Sequence, residues 1–141
     1  MATILKPELS EKNEYYIPKE RMLELIHFVK QYPTYVKCIK ALDGYIKPPS
    51  ALIIFNKDRS SFTDQTYYTV EAREYFQSKC DMIEFAVSHC DKEVQERLVD
   101  AIVLGQSYDI VNAKYGLLCS RNVWYKEYHH FFWILDKVRD K

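Results

Sequence analysis

Glycine is scarce in this chain of 141 residues, which has three, at Gly44, Gly105 and Gly116. A backbone cradle for phosphate needs several glycines close together, so nucleotide-binding loops are excluded. No nucleophile motif or paired catalytic carboxylates stand out either, and acidic pairs such as Glu71 with Glu74 read as a solvated helix face; no enzyme is expected. The four cysteines, Cys38, Cys80, Cys90 and Cys119, include no CxxC pair. That spacing excludes zinc fingers, redox dithiols and a compact disulfide framework. His89 beside Cys90 reads as a surface histidine next to a buried thiol, so neither metal nor cofactor is expected. Free thiols imply a reducing compartment. The opening "MATILKPELS" has no apolar run after its charges, and no stretch reaches membrane-spanning length. A soluble, cytoplasmic protein with no membrane partner is the expectation.

Net charge is also lacking: 20 basic residues balance 20 acidic ones. This excludes a strongly basic nucleic-acid binder. The balance is uneven along the chain, with ten basic and seven acidic groups in residues 1–60, four and nine in 61–105, and six and four in 106–141. An acidic middle therefore separates two mildly basic ends, either of which could meet nucleic acid.

What is present is apolar and aromatic: 48% of residues are hydrophobic and 15% aromatic, which excludes a disordered chain. With five prolines, long stretches can run as helix. Residues 1–17 read as an arm that lies on the body through Tyr15, Tyr16 and Ile17. Pro18 suits a first helical turn, followed by an apolar face of Leu23, Ile26 and Val29, or of Leu25, Phe28 and Val29. After Pro33 a second helix carries Val36, Ile39 and Leu42 and ends at Gly44. The Pro-Pro pair in "IKPPSALIIF" excludes helix locally; "ALIIF" could be a strand but would lack a partner, so a buried connection is preferred. Asp64 or Thr66 can cap a long helix in which Val70, Tyr75, Met82, Phe85 and Ala86 recur at helical spacing. Asp91 caps the next, striped by Val94, Leu98, Ala101 and Ile102 and stopped by Gly105. The expected fold is all-α, a helical bundle with an N-terminal arm. Residues 1–60 form the arm and a helical hairpin, and 61–141 a helical domain, the two being expected to make one compact unit.

Residues 105–139 have the proportions of a helix-turn-helix. Ser107 caps "YDIVNAKY", Gly116 ends it, and Ser120 caps a last helix from Arg121 to about Arg139. In that motif the N-terminal side chains of the second helix enter the major groove. Trp124, Tyr128, Phe131, Leu135 and Val138 make an apolar seam at steps of four and three. The other side presents Asn122, Lys126, His129, His130, Trp133 and Lys137, flanked by Arg121 and Tyr125. Ser120, Arg121, Asn122, Tyr125, Lys126 and His129 are therefore the candidate contacts to double-stranded DNA: Asn suits adenine, Arg and Lys suit guanine or phosphate, and Tyr suits phosphate. The plainer alternative is the solvent face of a terminal helix at an ordinary helical corner. Trp133 on that side implies cover by the arm or the N-terminal helices, or else a protein anchor.

Together, "MATILKPELSEKNEYYIPKERMLELIHFVKQYP", the "EAREYF" segment and "GQSYDIVNAKYGLLCSRNVWYKEYHHFFWILDKVR" resemble small phage and prophage late-gene activators of the RinA and ArpU kind. The resemblance implies a C-terminal part similar to the promoter-reading helix-turn-helix of sigma factors (their region 4). It also implies promoter DNA and host RNA polymerase as partners, in a bacterial host cytoplasm. The chain departs from that pattern in "KEYHH", which has one lysine where several cations are usual; this lowers the electrostatic part of DNA affinity. A protein-binding adaptor or inhibitor that keeps the helix-turn-helix shape, or a DNA-packaging protein, are the alternatives.

Overall fold

The computed structural model describes residues 12–44, 52, 65–117 and 119–139, with the side chains of 65–69 left aside. Among them there are six α-helices and no strand: α1 (Lys19–Lys30), α2 (Tyr32–Leu42), α3 (Gln65–Ser88), α4 (Lys92–Leu104), α5 (Tyr108–Tyr115) and α6 (Arg121–Arg139). The protein is all-α, as its periodicity predicts. The described chain forms two compact units. One takes in the residues up to Lys30 and those from Met82 onward; the other is Gln31–Asp81, so α3 contributes to both. The expected boundary near residue 60, the cap at Asp64 or Thr66 and most of "ALIIF" lie outside the described residues. Leu52, from that run, is buried.

In the smaller unit Pro33 sits in the first turn of α2, where its missing N–H costs nothing. Only Gln31 separates the end of α1 from the start of this helix. Tyr35 and Cys38 are buried, the Tyr35 ring lying 6.0 Å from that of Phe76 on α3. Val36, Ile39 and Leu42, the expected apolar face, are only half-buried. The face of α3 is likewise corrected. Val70, Tyr75 and Phe85 are about half exposed, while Ala72, Phe76, Cys80, Ile83 and Ala86 are buried. Of the expected set Ala86 is buried, and the buried side centres on Phe76 and Ile83, with Ala72 and Cys80 beside them.

The larger unit is built around α6. Helix α1 packs on α4 and α6, and both α4 and α5 pack on α6. Of the two faces expected for α1, the Leu25, Phe28 and Val29 face is buried and Leu23 is exposed. Val94, Leu98, Ala101 and Ile102 of α4 are buried as the stripe predicts. Gly105 ends α4 in the left-handed region at φ 66°, and the Gln106 N–H reaches back to the Ala101 carbonyl at 2.8 Å. Nine of the nineteen residues of α6 are buried: Trp124, Tyr125, Glu127, Tyr128, His129, Phe131, Phe132, Ile134 and Leu135. These positions run around most of the helix. The expected seam residues Trp124, Tyr128, Phe131 and Leu135 are among them, and further buried positions beside the seam make α6 the central element of this unit. Its large apolar side chains each contribute about 1.5–3 kcal/mol by leaving water. No described helix is long and apolar enough to cross a membrane.

Candidate nucleic-acid interface

The corner between α5 and α6 is held by local hydrogen bonds. Ser107 Oγ accepts from the Ile110 N–H at 3.4 Å and Ser120 Oγ from the Val123 N–H at 3.3 Å, so both serines cap as their positions predict. Gly116 stops α5 at φ 65°, its N–H donating to the Asn112 carbonyl, while Asn112 Oδ1 accepts from the Leu117 N–H at 2.9 Å. Across the corner the Tyr108 hydroxyl donates to the Cys119 carbonyl at 2.8 Å, and the Tyr125 hydroxyl accepts from the Tyr108 N–H at 3.2 Å. These bonds set the angle at which the first turn of α6 emerges.

The six candidate DNA contacts divide into two groups. Ser120, Arg121, Asn122 and Lys126 are exposed at the N-terminal end of α6. Arg121 Nη1 lies 3.4 Å from Asp109 Oδ2, with both side chains more than half exposed. Such a pair contributes little to stability, and Arg121 can exchange it for another anion. Tyr125 and His129 do not share the outer face. They are buried to 4% and 9% residual exposure, so their reading as solvent-facing contacts is corrected. The flank is closed because α5 lies over Tyr125 and the arm reaches this side of α6.

The turn at Asn13–Tyr15 brings the arm there. Asn13 Oδ1 accepts from the Tyr15 N–H at 2.9 Å, an Asx turn that aims the Tyr15 ring at α6. Between this turn and Arg121, Asn122, Tyr125, Lys126 and His129 lies a cavity of about 360 Å³, and Glu14 also lines it. Burial, and then the carboxylates of Glu14 and Glu127, push the Tyr15 phenol above its ordinary value. Farther along, Tyr15 and Lys137 flank Trp133 at 5.6 and 4.5 Å. The arm thus covers the indole, one of the two fates expected for it. Asn13 and Glu14 are absent from any motif in the sequence, and only the fold brings them to this face.

One further cluster is not visible as a motif. Glu127, 5% exposed, turns back toward the start of α4, where its Oε1 accepts from the Asp91 N–H at 2.9 Å. Asp91 occupies the N-cap position but makes no side-chain cap, so Glu127 serves this helix start from another element. His130 Nδ1 lies 3.6 Å from the same oxygen. The Cys90 thiol points at the Glu127 carbonyl at 3.7 Å; burial, and then Glu127 and Asp91, push it up to about 12. Donor atoms of Cys90, Glu127 and His130 all lie within 4.8 Å of one another. His89, the sequence neighbour of Cys90, is exposed and turned to the Phe85 carbonyl. Spacing alone, which leaves metal out, compares Cys90 with the wrong histidine. No family model, curated protein or solved structure matches the chain.

Proposed function

We propose that this protein is a DNA-binding regulator of transcription that presents the N-terminal end of α6 to the major groove of promoter DNA. The observation that carries the reading is the adjacency of Arg121, Asn122 and Lys126, all exposed on the first two turns of a helix whose entry is capped. In a helix-turn-helix those positions meet base edges and phosphates while the rest of the helix is braced by the body. Asn122 offers a bidentate pair to adenine, Arg121 one to guanine, and Lys126 a point charge for phosphate. With Tyr125 and His129 inside the fold, contact is confined to the helix end. Two cations imply a salt slope of roughly −2, which is shallow for a regulator and suits one that acts beside another DNA-bound protein. The resemblance to phage late-gene activators supports promoter DNA as the target and host RNA polymerase as that neighbour.

A second reading, a protein-binding adaptor, draws on Glu14 beside these cations and on the exposed apolar side chains of Leu104 and Ile110 near the α4–α5 corner. Binding of folded variants to the protein's own upstream DNA and to scrambled DNA separates the two. Lys126→Ala lowers the salt slope by about one unit on both DNAs. Arg121→Ala and Asn122→Ala reduce the preference for the upstream DNA, by about 1–3 kcal/mol for each bidentate pair removed. If all three bind as the parent does, the helix pair is only a corner and the adaptor reading replaces this one.

A further inference from the structure

Glu127 poses a problem in electrostatics that the helix-turn-helix does not address. A carboxylate this buried ordinarily has a cationic partner. Among the described residues, its one ion-pair neighbour is His130, at 3.6 Å and charged only when protonated. The cluster around it has the composition of a metal site. Glu127 and His130 are three residues apart on α6, the Glu-x-x-His spacing that turns both side chains to one side of a helix. Cys90 arrives from the α3–α4 junction, with its sulfur pointed at the Glu127 backbone.

We propose that Cys90 Sγ, the Glu127 carboxylate and His130 Nδ1 form a binding site for one zinc-class divalent ion. Thiolate, imidazole and carboxylate together suit zinc in preference to magnesium or calcium, which favour oxygen donors alone. With metal–ligand bonds of about 2.0–2.3 Å, tetrahedral donors sit roughly 3.3–3.6 Å apart. The present donors, within 4.8 Å of one another, reach that arrangement by side-chain adjustment on the order of 1 Å. The charges balance as well, since a dication against one thiolate and one carboxylate leaves the buried cluster neutral.

Outer contacts for such a site are in place. The Asp91 N–H donates to Glu127 Oε1 at 2.9 Å and holds the carboxylate in place, and the stacked Tyr15 ring fixes the plane of His130. Three protein donors leave a fourth position for water. Binding releases the thiol proton and staples the α3–α4 junction to the central helix.

Cobalt(II) titrated into the chelator-treated full chain, with a phosphine reductant, tests the site. The expected result is one ion per chain, a thiolate-to-cobalt charge-transfer band in the near ultraviolet, and displacement by zinc with a rise in Tm. Cys90→Ser abolishes the band. Glu127→Gln, which keeps an oxygen for the Asp91 N–H, and His130→Asn each weaken cobalt binding by more than about tenfold. A parent protein without the band, or a band that survives in Cys90→Ser, overturns the proposal. Should Cys90→Ser fail to fold, the other two variants decide, and unchanged cobalt affinity in both overturns it.

Discussion

The ring of Tyr15 stacks on that of His130, with centroids 4.8 Å apart and planes 22° from parallel. This contact fastens the N-terminal arm to the central helix of the larger unit, between the exposed helix end and the Cys90 cluster. It gives one aromatic residue, outside every helix, a part in both candidate sites.

Tyr15→Ala therefore loosens the arm. An aromatic pair of this geometry is worth about 0.5–1.5 kcal/mol beyond its buried area, so unfolding stability falls by roughly 1 kcal/mol or more. Limited proteolysis reads the change directly, as faster cleavage before Pro18. Equal cleavage and equal stability in parent and variant would show that the arm is not docked.

Phe131 has no exposed surface and Leu104 is 66% exposed. Truncating Phe131 to alanine costs about 3–5 kcal/mol in urea unfolding, whereas Leu104→Ala stays within about 0.5 kcal/mol. Similar losses for the two would contradict the central place of α6.

Arg21 Nε meets Asp136 Oδ1 at 2.5 Å, tying α1 to α6, and both side chains are about three-quarters covered, at 24% and 26% exposure. A double-mutant cycle of Arg21→Ala with Asp136→Asn should give a coupling near 1 kcal/mol that shrinks with added salt. Additive effects would reduce the pair to an ornament of the surface.

Cys38 is fully buried and Cys119 is half-buried, and burial is the main cause raising both thiols. A thiol reagent at neutral pH should modify Cys119 first and Cys38 only on unfolding, as mass mapping over time would reveal. The sign of the pH effect follows from the same shift. The folded state favours the protonated Cys38 thiol, so this contribution is complete below the ordinary thiol value of 9.0 and fades as pH rises above it. Cys38→Ala should flatten the alkaline loss of stability; an unchanged alkaline slope would count against the shift.

Local signals in the sequence determined the helices and the capped corner between α5 and α6. Ser107, Gly105, Gly116 and Ser120 act within a few residues of themselves, through backbone groups that any helix end must satisfy, so composition and spacing suffice to find them. The α4 stripe was legible for a related reason: one side of that helix is buried, and a one-sided pattern shows in a single sequence. Helix α6 has no such single side. Its seam was legible, but Tyr125 and His129 look like outer positions until α5 and the arm are seen to close around them. The buried side of α3 was hidden by its exposed aromatics. Only tertiary structure could set Cys90 beside Glu127, 37 residues away, or bring Asn13–Tyr15 against the end of α6. Helical periodicity encodes which way a side chain points, but what meets it there depends on how the helices pack.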